Sequence, residues 1–323
     1  MLIEPVEGLL DVDFARANLL DIAVKVPLQR VESKALTAAG VELLVRRDDL
    51  LDPMLSGNKF YKLFFNLRDA QAQGFTRVLS FGGAYSNHLH ALAAAGKRYG
   101  FSTLGVVRGE RPAHLSPTLS DAEAWGMTLI FIGRTEYRNK TEQVLIADLK
   151  TRYGEFYLIP EGGANVAGSH GMQLLGQALE QQLKGDYTAV CIACGTGTSL
   201  AGLAAGIDAG KPTLGFSVLK GEGGLGRDIN TIYNSLCTEQ APNWRLISGF
   251  HCGGYGKKHP DYLAQFWRDF ERESGIPLDP VYTVKMFFGL NALVRQGYWP
   301  RGSRIVAIHS GGLQGRHGFK GGF

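Results

Sequence analysis

The sequence predicts an α/β protein of two domains, each built on a mostly parallel sheet covered by helices. Three observations carry this. Short apolar segments of strand length alternate with longer segments of helical spacing along most of the chain, the pattern of strands buried on both faces and joined by crossover helices. At 323 residues the chain exceeds the size at which a single core usually stops growing. Glycine is in excess, with 43 residues against a typical share of about 7%. It gathers near the ends of the expected strands, as Gly82-Gly83, Gly162-Gly163, Gly195 and Gly197, the 221–226 stretch, Gly253-Gly254 and Gly311-Gly312. Those turns must pass close to something or adopt positive φ.

In chain order, the first fifty residues or so read as irregular apart from a strand over 41–46. Asp48-Asp49 lead into a helix starting near Asn58, because Phe60, Leu63, Phe64 and Leu67 recur at helical spacing, with Asn58 or Ser56 as its cap. A strand over 77–81, a loop over 82–86, an alanine-rich helix over 87–99 and a strand over 103–107 follow. Next come a helix over 119–125 stopped by Gly126, a strand over 127–132, a helix over 140–152 and a strand over 156–159 ended by Pro160. This is a compact run of βαβ units. The second run holds a helix over 169–184, a strand over 188–193, a helix from Leu200, a strand over 213–219 and a glycine-rich loop. A strand over 245–250, helices over 261–274 and 284–296 and a strand over 304–308 complete it, with no internal repeat or low-complexity linker.

Composition excludes several classes. Hydrophobic content of 45% and charged content of 20% are those of an ordinary globular protein, and the net charge of +4 comes without runs of lysine and arginine interleaved with aromatics, so no nucleic-acid partner is expected. Residues 1–10 carry Glu4 and Glu7 and lack a basic region followed by an apolar one, which does not fit a signal peptide. No apolar run approaches the ~20 residues that span a bilayer, so no membrane partner is expected either. The four cysteines are Cys191, Cys194, Cys237 and Cys252. The first two form a C-x-x-C in an apolar strand and its turn, with no second pair at zinc spacing, and read as small buried residues in a reducing cytoplasm.

The stretch from Ser56 to Leu63 places Lys59 and Lys62 in the first turn of a helix. There the macrodipole disfavours cations by about 0.3–1 kcal/mol each and welcomes anions. Two solvated lysines on a surface helix are one explanation; a lysine that does covalent chemistry beside one that holds a phosphate is the other. The loop Gly195-Thr196-Gly197-Thr198-Ser199 joins a strand to a helix and offers backbone amides and hydroxyls, the equipment for a phosphate at a helix N-terminus. A dinucleotide fingerprint fails there, since Leu200 replaces the third glycine and Lys220 stands where an acid should close the next strand. A Walker A loop fails for want of Gly-Lys-Ser/Thr, and neither G-x-S-x-G nor H-E-x-x-H is present. In Gly82-Gly83-Ala84-Tyr85-Ser86-Asn87-His88 the amides and the Ser86 and Asn87 side chains suit a carboxylate. With His90, His88 raises a metal pair as an alternative, which no further ligand set at metal spacing supports. A lysine at a helix start, a phosphate loop without a nucleotide signature and a carboxylate-suited loop together describe an enzyme using pyridoxal phosphate on an amino acid.

The chain resembles a known family through five motifs: Ser56-Gly57-Asn58-Lys59-x-x-Lys62-Leu63, Gly82-Gly83-x-x-Ser86-Asn87-His88, Thr196-Gly197-Thr198-Ser199-x-Ala201-Gly202, Asp279-Pro280-Val281-Tyr282-Thr283 and His309-Ser310-Gly311-Gly312. They look like the pyridoxal-phosphate-dependent 1-aminocyclopropane-1-carboxylate (ACC) deaminase and D-cysteine desulfhydrase family, of fold type II and similar to the tryptophan synthase β-subunit. The resemblance implies a larger cofactor-binding domain from residues 1–64 and 166–323, a smaller α/β domain over 65–165, and a homodimer.

It also implies roles. Lys59 would hold the cofactor as a Schiff base and move protons at the substrate α-carbon, helped by a lowered pKa beside Lys62. Lys62 and the loop Gly195, Thr196, Gly197, Thr198 and Ser199 would bind the phosphate. Asn87 would hydrogen-bond the ring hydroxyl, while Ser86, Asn87 and His88 would receive the substrate carboxylate. Tyr282 and Tyr255, the latter in Gly253-Gly254-Tyr255-Gly256, would border the substrate, with Ser86 and Tyr282 placed beside Lys59 as catalytic. Ser310 or Thr283 would face the pyridine nitrogen, and a neutral hydroxyl there, unlike a carboxylate, does not keep that nitrogen protonated. ACC deaminases typically place Glu after the tyrosine and Gln after Ser-Asn, where this chain has Thr283 and His88, as in the desulfhydrase branch. The chain departs from both branches at Phe60-Tyr61 and at His90-Ala91. The function implied is α,β-elimination of D-cysteine or a similar compound to pyruvate, ammonia and a thiol. ACC deaminase or racemase activity, a noncatalytic pyridoxal-phosphate-binding protein and, more distantly, a nucleotide-dependent oxidoreductase are the alternatives.

Overall fold

A computed structural model describes residues 18–319, except 222, 238–240 and 256–258. Residues 1–10, read above for a leader, and Gly256 of the tyrosine loop lie outside the described residues. In chain order the elements are α1 (Leu19–Val24), β1 (Leu28–Val31), α2 (Lys34–Ala39), β2 (Glu42–Arg46), α3 (Asn58–Ala72), β3 (Arg77–Gly82), α4 (Asn87–Tyr99), β4 (Ser102–Arg108), α5 (Pro117–Ala124), β5 (Thr128–Ile132), α6 (Arg134–Arg138) and α7 (Gln143–Tyr153). They continue as β6 (Tyr157–Ile159), α8 (Val166–Leu183), β7 (Ala189–Cys194), α9 (Thr198–Gly206), β8 (Thr213–Ser217), α10 (Leu225–Leu236), β9 (Trp244–Ile247), α11 (Asp261–Ser274), α12 (Thr283–Arg295) and β10 (Arg304–Ile308).

The strands form two sheets, one ordered β1-β2-β10-β7-β8-β9 and one ordered β5-β4-β3-β6. Every pairing is parallel except β1 with β2, the two-sheet α/β arrangement the sequence predicts. The interior strands explain why their sequences are continuously apolar: all six residues of β7 and all five of β8 are buried, as strands covered on both faces must be. One core joins the inner helices α3, α4, α8 and α9 to residues of both sheets, such as Val78, Val190 and Val306. A second lies under α11 and α12 on the outer face of the larger sheet, and a third beneath α6 and α7 on the smaller one.

The structure differs from the sequence reading in four places. The early segment holds α1, β1 and α2 instead of irregular chain. The helix expected over 140–152 is α7, which starts only at Gln143, and a short helix, α6, precedes it where none was expected, separated from it by the turn over 139–142. The glycine-rich loop is followed by α10, which was not anticipated. Strands expected over 213–219 and 245–250 end at Ser217 and Ile247, and Leu219 and Lys220 beyond the first of them line a cavity.

Helix α8 can lie against α3 because Gly171 has no side chain: a Cβ there would fall 2.1 Å from the Tyr61 carbonyl oxygen. Since the obstacle is backbone of the lysine helix, it cannot give way as a side chain would. Gly171→Ala is expected to lower stability by about 3 kcal/mol, read as a fall in the denaturant midpoint at unchanged slope.

Candidate active site

Helix α3 is fixed at its first residue by two loops. Gly57 caps it with φ 66° and ψ −152° and no side-chain bond, and a Cβ there would lie 2.0 Å from the Ser310 carbonyl oxygen. The expected caps, Asn58 or Ser56, do not act as caps. Asn58 is already helical; its backbone N–H donates to the Ser310 oxygen at 3.3 Å and its side-chain amide to Ser199 Oγ at 2.9 Å. The loops after β10 and β7 are thereby joined at the base of Lys59.

Lys59 Nζ donates to Asn58 Oδ1 at 3.0 Å, and the buried Lys62 donates its ammonium to the Gly162 carbonyl at 3.1 Å. Burial pulls the Lys59 pKa down to about 8, with Asp279 opposing. Lys62 is held well below its usual value, first by burial and then by the charge of Lys59. Both stand at the positive end of α3, so the corner favours an anion.

Gly195, Thr196, Gly197 and Ser199 line the same cavity, of about 510 Å³, as Lys59 and Lys62. Gly197 takes φ 84° so that α9 can start at Thr198 with its amides facing the turn. Thr198 is buried and does not line the cavity; its hydroxyl lies 3.4 Å from that of Thr196. On the facing wall Ser86 caps α4, its Oγ accepting from Leu89 N at 3.2 Å, which leaves the hydroxyl proton for a ligand. Asn87 lines the cavity and accepts from Gln314 at 2.6 Å through Oδ1. His88 pairs Nε2 with Ser80 Oγ at 2.9 Å, while its buried Nδ1 has no partner. Burial and the two lysines push its pKa well below the usual value, so the ring is neutral. His90 turns instead to Asp121 at 3.4 Å and packs on Trp125, so the two histidines do not converge. Tyr282 and Tyr255 also line the cavity, and Tyr255 donates to the Tyr85 carbonyl at 2.9 Å across the mouth.

Comparison with known proteins gives the family of the chain. The family model for pyridoxal-phosphate dependent enzymes matches residues 21–311. The chain belongs to that family. A D-cysteine desulfhydrase of Yersinia pestis is 27% identical over 316 residues, covering 93% of this chain and 94% of that one. The bifunctional D-cysteine desulfhydrase/1-aminocyclopropane-1-carboxylate deaminase, mitochondrial, of Arabidopsis thaliana is 29% identical over 297 residues, covering 85% and 73%. A crystal structure described as an ACC deaminase homologue superposes with a TM-score of 0.77 at 29% identity, covering 90% of each chain.

The residues present fit the family's cofactor. An amine with a lowered pKa suits an aldehyde, a cationic corner beside a helix N-terminus suits a phosphate, and the buried His88 Nδ1 of the same lining has no partner among the described residues. The two hydroxyls expected at the pyridine nitrogen are placed differently. Ser310 lines the cavity. Thr283 does not: it is buried, its Oγ accepting from Asp279 N at 2.8 Å, because Asp279 draws the start of α12 around its carboxylate.

Three further charged residues of this pyridoxal-phosphate enzyme line the cavity without having been singled out as ligands: Arg108, Glu161 and Lys220. Each stands at or just beyond the carboxyl end of a strand, β4, β6 and β8. Open α/β sheets bind ligands at those ends, and that signal alone identifies them.

The Lys59 amine reacts with an aldehyde only when neutral. With a pKa of about 8, recombination of apoprotein with pyridoxal phosphate is expected to accelerate about tenfold per pH unit below that value. It should level off above it, and stopped-flow absorbance between pH 6 and 10 checks this. An unperturbed lysine would show no plateau in that range.

Proposed function

We propose that this enzyme catalyses β-elimination of D-cysteine, or of a similar small amino acid with a leaving group on Cβ. With water, D-cysteine gives pyruvate, ammonia and hydrogen sulfide. The observation carrying this reading is the cavity's combination of a low-pKa Lys59 with the neutral Ser310 hydroxyl and no carboxylate at the loop after β10. Bound pyridoxal phosphate supplies the electron sink that makes the α-proton of an amino acid removable. Lys59 Nζ accepts that proton. Lys62 and the Gly195 to Ser199 turn would hold the phosphate, Asn87 would hydrogen-bond the ring hydroxyl, and Ser86 and His88 would orient the substrate carboxylate. Tyr282 and Tyr255 close over the substrate and exclude water.

Sulfide and pyruvate release decide the matter, assayed with D-cysteine, L-cysteine, D-serine, β-chloro-D-alanine and ACC. Turnover of D-cysteine well above L-cysteine and ACC is expected. Ammonia release from ACC alone, or racemisation without sulfide, would replace this reading with the corresponding activity.

The same reading assigns residues 1–64 and 166–323 to a larger domain and 65–165 to a smaller one, with the two sheets as their centres. The first boundary falls inside α3, so the lysine helix serves both. Homodimerisation also belongs to this reading, and light scattering showing a monomer at micromolar concentration would remove it. No described helix is long and apolar enough to cross a membrane.

A further inference from the structure

Lys285 is fully buried in the first turn of α12, where the helix dipole opposes a cation, and among the described residues its ammonium reaches no carboxylate at hydrogen-bond distance. It donates instead to two backbone carbonyls, those of Val218 and Gly254, each at 3.1 Å. Val218 follows β8 and precedes Leu219 and Lys220, and Gly254 precedes Tyr255; Leu219, Lys220, Gly254 and Tyr255 line the cavity, whereas Val218 and Lys285 lie behind it. The loop carrying Gly254 is strained, with Cys252, a non-glycine residue, at φ 45°, followed by Gly253 at 98° and Gly254 at 94°. Beyond it, Tyr255 bonds the Tyr85 carbonyl, next to Ser86. A costly charge is thus held behind two loops that meet at the mouth.

We propose that Lys285 is a positioning residue: its ammonium clamps the loop after β8 to the 250–255 loop and so sets Tyr255 across the mouth against the loop that receives the substrate carboxylate. The clamp does not touch substrate. It rests on the reading of this cavity as the active site, but the order it imposes on the loop exists without turnover. Since only carbonyl oxygens bind the ammonium, any small cation that can donate hydrogen bonds and enter the space should replace it.

The test uses the holoenzyme with Lys285→Ala and Lys285→Met, followed by hydrogen exchange of the 250–255 amides and by steady-state kinetics on D-cysteine. Both variants are expected to retain cooperative unfolding and the visible cofactor band. Exchange across 250–255 should accelerate, and kcat/KM should fall at least about tenfold, the order expected when two charge-assisted hydrogen bonds are lost. Propylammonium should restore both readouts in Lys285→Ala, where it fits the vacated stem, and not in Lys285→Met. Tetramethylammonium, which has no proton to donate, should restore neither. Unchanged exchange in both variants, equal rescue by tetramethylammonium, or unfolding of both variants would overturn the clamp. If the wild type does not consume D-cysteine, the proposed function fails while the exchange measurements still decide the role of Lys285.

Discussion

Replacing Lys59 by alanine is expected to abolish the yellow band of lysine-bound pyridoxal phosphate and to lower D-cysteine turnover by about 10³-fold or more, within the range for removing a positioned acid–base group. The argument is one of position. Lys59 lies beside Asn58, whose backbone and side chain reach the segments after β10 and β7, and its amine lies in the cavity with a pKa lowered to about 8 by burial. Lys62 is buried against Gly162, and Lys220, also in the lining, comes from the opposite wall after β8. Spectra of wild type and variant, recorded side by side before and after adding D-cysteine, check the prediction. A variant retaining the wild-type band would assign the covalent role elsewhere.

Replacing Lys62 by alanine should give a different loss. Lys62 stands next to Gly162, whose Cβ position lies 3.6 Å from the Thr196 methyl group, so its ammonium borders the α9 turn where a phosphate would sit. Removing one charge-assisted contact to a phosphate should weaken cofactor affinity by about 100-fold. Added pyridoxal phosphate should recover the band and most of the turnover, which it cannot do for Lys59→Ala. Titration of the two apoproteins followed by absorbance separates the cases; an unchanged affinity for Lys62→Ala would place the phosphate elsewhere.

Much of the framework was legible because local signals agreed with burial. Helix α4 spans the residues expected of it, with Ser86 as cap and Gly100 in the left-handed region as its stop. Helix α11, ended by Gly275, and strand β10 also begin and end where the sequence placed them. The early elements were missed because each is short and partly exposed: α1 and α2 have six residues, and β1 has four on the sheet edge with one buried. Helix α10 was hidden by its glycine-rich approach, although Leu225, Ile229, Ile232 and Tyr233 follow helical spacing and pack inward. A short periodic segment carries too little signal to outweigh adjacent breakers.

The site divides in the same way. That Lys59, Lys62, Ser86 and residues of the Gly195 to Ser199 turn would share one cavity was legible because each combines an unusual residue with a helix start. The choice between Ser310 and Thr283 was not, since both follow loop motifs and only the closure of Asp279 around the start of α12 turns Thr283 away from the cavity. Arg108 and Glu161 reach the cavity through the arrangement of strands in the smaller sheet. Their places at strand ends were legible, but which strand ends open on one cavity is set by the strand order. Lys285 shows the reverse case, a lysine in a helix's first turn whose partners are 67 and 31 residues away in sequence.

The most direct test of the account is to reduce the holoenzyme with borohydride, digest it and locate the pyridoxyl group by mass spectrometry. The account predicts a single modified residue, Lys59, with modification prevented when D-cysteine is present during reduction. Modification of Lys62, Lys220 or Lys285, or none after full loading with pyridoxal phosphate, would contradict it.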